Sequence, residues 1–284
     1  MMRSTESAGP PIIDVHLHAV WWEPGMVEPA SGLRAPETSE GLRQATLAAM
    51  DRYGIVKGVV SGPLVHEYTA AAPDRIMAGC SLGAAFGLGH PSDIGPEPLR
   101  AHFAAGQYQV LAEVVVQYEG IAPGDSRMEP YLALAEELDA PVGIHIGLGP
   151  PGVANMGLPH YRMSHSNPLL LEDALVRHPG LRLWVCHAGW PMLDQTVGLL
   201  HCYPQIYVDI SGIGWLLPAE EFHWYLRRLV QAGFGRRIMF GSDQMVWPDA
   251  IGRSVEAVET AGFLRAQQKR DIFYNNAARF LRMG

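Results

Sequence analysis

Long apolar runs are missing from this chain of 284 residues. No stretch approaches the ~20 residues that a membrane-spanning helix requires, and the opening MMRSTESAGPP lacks the apolar core of a secretory leader. Cysteine is scarce. Cys80, Cys186 and Cys202 show no paired C-x-x-C spacing, which argues against a disulfide framework and reads as reduced, cytoplasmic thiols. A basic stripe is absent too: formal net charge is -8, with both signs mixed along the chain, so nucleic acid is not an expected partner. Nothing marks a domain boundary, whether repeat, low-complexity stretch or composition shift. The expectation is one domain over residues 1–284, soluble and cytoplasmic, with neither membrane nor nucleic acid as partner.

What is present points to a parallel barrel. With 48% hydrophobic and 18% charged residues the chain can bury a substantial core. Short β-rich apolar runs alternate with helical patterns: Ile12 to His16, Ile55 to Val60, Ile76 to Leu82, Val110 to Val116, Val142 to Ile146, Leu183 to His187, Ile206 to Ile210 and Arg237 to Phe240. Near-continuous apolar content is expected of strands whose outer face is covered by helices. Helix ends are legible between them. Ser39 can cap a helix running to Tyr53 with Gly54 beyond it, and Asn167-Pro168 opens another that stops before Gly180. Pro130, Pro218 and Pro248 can open three more, and a terminal helix is expected from about Ala266 to Arg282. Phe222, Tyr225, Leu226, Leu229 and Val230 form a stripe at helical spacing. The segments Ala19 to Thr38 and Gly147 to Asn167 are long for simple connections, as functional loops often are. Eight runs without a linker favour a single (β/α)8 TIM barrel, whose active site forms where loops follow the strands.

The chemistry-bearing residues cluster at those strand ends. In Asp14-Val15-His16-Leu17-His18, the two histidines stand at i and i+2 of a strand and point to one side, so both can meet one metal ion. Spacing alone leaves a chance pair equally open. His145 sits near the end of the fifth run, His187 ends the sixth, and Asp243 follows the eighth in Gly241-Ser242-Asp243. Four imidazoles and a carboxylate gathered at one end of a barrel are hard to explain as packing. Nitrogen and oxygen donors of this kind suit zinc first, with manganese or iron as alternatives. Glu113 lies inside the fourth run among Leu111, Ala112, Val114 and Val115. A carboxylate there must be paired or bound to metal, and both readings stand.

These pieces resemble the amidohydrolase superfamily, in particular the branch containing the aminocarboxymuconate semialdehyde decarboxylases. D-V-H-L-H at 14–18, G-I-H at 143–145, C-H-A-G-W-P at 186–191, G-S-D at 241–243 and N-N-A-A-R-F-L at 275–281 carry the resemblance over nearly the whole chain. It implies His16, His18, His145 and Asp243 as metal ligands, and His187 as a second-metal ligand or a catalytic acid/base. Two-metal members bridge their ions with a fourth-strand glutamate or carboxylated lysine. Glu113 resembles the glutamate version, and this strand has no lysine. One or two ions per chain are therefore expected, and the resemblance implies a homodimer.

Two reactions fit. In the first, a small-molecule amide, lactone or ester is hydrolysed by metal-activated water, with Asp243 as base and His187 or metal steadying the oxyanion. In the second, an aromatic or muconate-type carboxylate is decarboxylated without oxidation. The His-x-His pair matches the muconate semialdehyde group, while Glu113 tilts the reading to hydrolysis. Trp21, Trp22, Trp190 and Trp247 follow strands and are candidates for an apolar substrate pocket, though roofing the barrel would use them equally well. Arg162 and His165 are candidates to meet an anionic group. Cys186, next to His187, is expected by strand alternation to pack between sheet and helices. Asp14 is expected to accept from a ligand imidazole or to satisfy a turn.

Overall fold

The computed structural model describes residues 10–20, 24–83 and 94–283. Eight parallel strands follow in chain order: β1 (Ile12–His18), β2 (Ile55–Ser61), β3 (Ile76–Leu82), β4 (Val110–Val114), β5 (Val142–Ile144), β6 (Leu183–Val185), β7 (Tyr207–Asp209) and β8 (Ile238–Met239). Each expected run holds a strand, and helices alternate with them in a (β/α)8 TIM barrel. The seam between first and last strands is closed by individual hydrogen bonds. Val15 N donates to Phe240 O at 3.0 Å, Asp243 N to His16 O at 2.8 Å, and Ser242 N to the Asp14 carboxylate at 3.0 Å.

The first helix, α1 (Ser39–Tyr53), starts one residue off the expected cap. Thr38, extended at φ -140, accepts from Gly41 N, so the threonine rather than Ser39 caps it, while Gly54 ends it at φ 68 as expected. Helices α2 (Val65–Ala71), α3 (Pro96–Ala104), α4 (Glu129–Glu137), α5 (Glu172–Arg177) and α6 (Leu193–Cys202) follow. Asn167 does accept from Leu169 N, but it caps a 3-10 turn that leads into α5. After the short α7 (Ile213–Leu216), α8 (Ala219–Gln231) buries Phe222, Tyr225, Leu226 and Leu229, the stripe read from spacing. Next come α9 (Asp249–Glu259), α10 (Ala266–Arg270) and α11 (Asn276–Phe280). The expected terminal helix is present as one stretch from Ala266 to Phe280, in which a π turn at Asp271–Asn275 joins the last two segments.

Two apolar layers hold the site in place. The larger lies between the sheet and its helices. The smaller fills the barrel interior with Ile13, Val15, Val59, Val110, Ala112, Trp184 and Met239, against which Ala277, Phe280 and Leu281 pack. Cys186 belongs to this inner group, contrary to the alternation argument. The reason is that Cys186 keeps the parity of Trp184 two residues before it, while the chain turns at His187 (φ 58) and Ala188 (φ 49), so His187 reaches the site through a turn and not by strand alternation. No helix among the described residues is long and apolar enough to cross a membrane.

Candidate active site

Five of the strands deliver the candidate ligands to one point. His16 and His18 come from β1, Glu113 from β4, His145 from the residue after β5, His187 from the turn after β6 and Asp243 from the segment after β8. His16, His18, Glu113, His145 and His187 are all buried, and the Asp243 side chain is 13% exposed. The structure thus brings together every residue that the resemblance implied as a ligand.

The donor atoms fall into two groups that share one carboxylate. His16 Nε2 and His18 Nε2 lie 3.1 Å apart, and Glu113 Oε2 lies 3.4 and 3.6 Å from them. Asp243 Oδ1 stands 3.0 Å from His18 Nε2 and has no hydrogen-bond partner although buried. On the other side Glu113 Oε1 lies 2.7 Å from His145 Nδ1 and 3.4 Å from His187 Nε2, which are themselves 3.0 Å apart. Ring nitrogens and carboxylate oxygens gathered at such separations form a compact donor set, and the orphaned carboxylate oxygen of Asp243 adds to it. Two imidazoles and two carboxylate oxygens in one group, and two imidazoles and one oxygen in the other, fit divalent cations of the zinc, manganese or iron kind. His145 differs from the other histidines in turning Nδ1 inward, with Nε2 3.4 Å from the Tyr118 hydroxyl.

Without metal, the electrostatics run as a coupled set. Burial opposes charge on Glu113, but His16 and His145 overcome it and hold its carboxyl well below the ordinary range. Burial would depress His16, yet Glu113 and Asp209 hold it well above the usual value. For His145 burial prevails and its pKa falls; for His187 the carboxylates of Glu113 and Asp243 win and it rises. The backbone is strained at two of these residues, since His187 (φ 58) and Asp243 (φ 50) both adopt the left-handed region. Small neighbours make room: a Cβ on Gly147 would sit 2.8 Å from His187 Cδ2, and one on Gly212 3.0 Å from Asp243 Oδ2.

Asp14 settles on the second of its two readings. Its Oδ1 accepts from the backbone of His16 and of Ser242, both at 3.0 Å, which ties β1 to the segment after β8. Burial pushes its carboxyl up to about 7. The folded chain therefore keeps this proton more tightly than the unfolded one. Metal-free protein should lose stability as pH rises from about 4 to 7, by roughly 4 kcal/mol, and the loss should level off above that window. Asp14→Asn keeps an accepting oxygen and should flatten the slope; denaturant unfolding of both proteins at pH 5 and pH 8 checks it.

The expected pocket residues are placed less uniformly. Trp21 and Trp22 lie outside the described residues. Trp247 belongs to an apolar roof over the mouth, built from Val20, Ala35, Val115, Tyr118, Val153, Leu158, Tyr161 and Val246. Its Nε1 donates to Met26 O at 3.1 Å and its ring meets Trp215. Trp190 packs on the layer between sheet and helices and donates to Glu221 Oε1 at 3.0 Å. Arg162 is exposed and spends its guanidinium on the carbonyls of Pro159 and Tyr161 in its own loop. His165 is half-buried, and its Nδ1 has no hydrogen-bond partner. Sequence reasoning overlooked Tyr118, Asp209 and Ser211 as neighbours of the ligands. A buried aspartate at the end of an apolar strand, in Tyr207-Val208-Asp209, was the available signal for the second.

The amidohydrolase family pattern matches residues 13–283. The chain belongs to the amidohydrolase family. No curated protein matches it. Among solved structures, this amidohydrolase is similar to an uncharacterized TIM-barrel protein from Bordetella bronchiseptica (TM-score 0.66, 18% identity, covering 96% of this chain and 98% of the other). It is also similar to a probable 2-pyrone-4,6-dicarboxylic acid hydrolase from Acinetobacter baumannii (TM-score 0.65, 16% identity, 96% and 99%). A third is a 5-carboxyvanillate decarboxylase from Novosphingobium aromaticivorans with bound manganese (TM-score 0.64, 14% identity, 100% of both chains). At these identities the likeness shows the fold, which a probable hydrolase and a decarboxylase share.

Proposed function

We propose that this amidohydrolase holds two divalent cations, zinc before manganese or iron, and hydrolyses a small-molecule ester, lactone or amide. The observation that carries the reading is the Glu113 carboxylate, whose two oxygens face two separate groups of imidazole nitrogens. His16, His18 and Asp243 would hold one ion, His145 and His187 the other, with Glu113 between them. Bound there, divalent ions lower the pKa of water and polarise a carbonyl.

The remaining work falls to the chain's own groups. Asp243 is the partly exposed carboxylate of the set, so it can take a proton from the attacking water and pass it to the leaving group. His187 faces the cluster with Nε2 and donates Nδ1–H to Ser211 O at 2.9 Å, which favours a ligand over a free acid. The apolar roof with Tyr118, Tyr161 and Trp247 suits a substrate with a hydrophobic or aromatic body and helps exclude bulk water.

Metal content of protein purified without added metal or chelator, read beside a substrate panel, tests the proposal. About two ions per chain with turnover of esters, lactones or amides is expected. About one ion, with CO2 released from aromatic or muconate-type carboxylates and no hydrolysis, would overturn it in favour of decarboxylation.

A further inference from the structure

Beneath the ligand cluster lies a second buried group that the hydrolytic mechanism does not use. Asp209, at the end of β7, is fully buried and accepts five hydrogen bonds. Its Oδ2 takes Trp184 Nε1–H at 2.9 Å and faces His16 Nδ1 at 3.1 Å. Its Oδ1 takes the backbone N–H of His187 at 2.9 Å, that of Ser211 at 3.0 Å and the Ser211 hydroxyl at 2.6 Å. The Ser211 oxygen, having given its proton to Asp209, stands 2.9 Å from His16 Nδ1 and 3.1 Å from His187 Nδ1.

We infer that Asp209 and Ser211 form one positioning unit that sets both halves of the metal site at once. Resting on the two-cation reading above, the inference follows from counting protons. The serine proton belongs to Asp209, and the oxygens that face the two Nδ1 atoms, Asp209 Oδ2, Ser211 Oγ and Ser211 O, are acceptors, while the one other polar group beside His16, the Cys186 thiol, is a weak donor that does not displace a carboxylate. Both Nδ1 atoms must therefore carry hydrogen. When each ring gives up its other proton to solvent to accept an ion, the Nε2 lone pair is the one released, and it points into the cluster. Carboxylates that hold a ligand imidazole in this way commonly fix its tautomer and raise its basicity. Here the same carboxylate also holds the backbone of His187 in its left-handed turn. His16 belongs to one ligand group and His187 to the other, so the two ions share a single support.

Asp209→Asn discriminates sharply. An amide has one oxygen, so its NH2 must face either His16 Nδ1 and Trp184 Nε1–H or the three donors on the other side. Facing His16, it forces that ring to accept at Nδ1 and to carry its proton at Nε2, where the ion should bind. Zinc titration of the metal-free variant should show both affinities falling together, by 10- to 100-fold. Ser211→Ala, a smaller change in case Asp209→Asn folds poorly, should weaken both in the same direction by less. In zinc-loaded wild-type protein, nitrogen-15 spectra of the histidine rings should show His16 and His187 with hydrogen at Nδ1. Unchanged affinity for both ions in the two variants, loss confined to one ion, or Nδ1 ligation by His16 would overturn the inference. Failure of the wild type itself to bind two ions would instead strike at the function proposed above.

Discussion

Glu113→Gln should cut metal content from two ions per chain to one or fewer and lower kcat/KM for hydrolysis by about a hundredfold to a thousandfold, the scale of losing a charge-stabilising partner in an enclosed site. The carboxylate meets both ligand groups, Oε2 beside His16 and His18 and Oε1 beside His145 and His187. An amide of the same shape offers one oxygen to one group and an NH2, which cannot ligate, to the other. The metal-free protein should respond as well. Glu113 is the chief influence holding His16 above its ordinary pKa, so removing the charge should let that imidazole lose its proton at lower pH. Elemental analysis of the purified variant, with steady-state kinetics on an ester that the wild type turns over, gives the result. Two ions retained at full occupancy would remove Glu113 from the bridge.

Asp243→Asn should leave the barrel folded and reduce kcat by a hundredfold to ten-thousandfold, the span that a positioned acid or base contributes. Folding is spared because the contact joining this residue to β1 is made by its backbone, Asp243 N to His16 O. Catalysis is not spared. The asparagine oxygen can still approach His18, where Asp243 Oδ1 now sits 3.0 Å from Nε2, but an amide cannot accept and release the proton of water. Some weakening of the ion shared with His16 and His18 is expected too. Measuring kcat at saturating metal separates the two effects, and a variant with near-wild-type kcat under those conditions would dismiss Asp243 as the base.

The barrel and the meeting of the candidate ligands at one point were legible because both are written locally. Strand runs, the His-x-His pair and the positions of His145, His187 and Asp243 at strand ends depend on a few neighbouring residues each. Glu113 stood out for the same reason, as a charge inside an apolar run. What escaped are properties of contact across the fold. Ser211 meets His16 from 195 positions away, and no spacing announces that partnership. The choice of Nδ1 by His145 against Nε2 by His16, His18 and His187 depends on ring orientation, which is set by packing. Cys186 was misplaced because its face was inferred from His187, which reaches the site through a left-handed turn and not by strand alternation. Loop side chains were hardest of all: Trp190 and Arg162 follow strands as an active-site residue should, yet bond to Glu221 and to their own loop.

The seam between β1 and β8 also bears on how the protein is made. His16 and His18 stand near one end of the sequence and Asp243 near the other, so one ligand group unites parts of the chain that are synthesised far apart in time. Closing so long a loop carries an entropic cost that grows only slowly with length, but it cannot be met before the later segment exists. A nascent chain that has not reached residue 243 has no complete first ligand group. Uptake of that ion would then mark completion of the barrel, and the ion would act as a clasp on a finished ring.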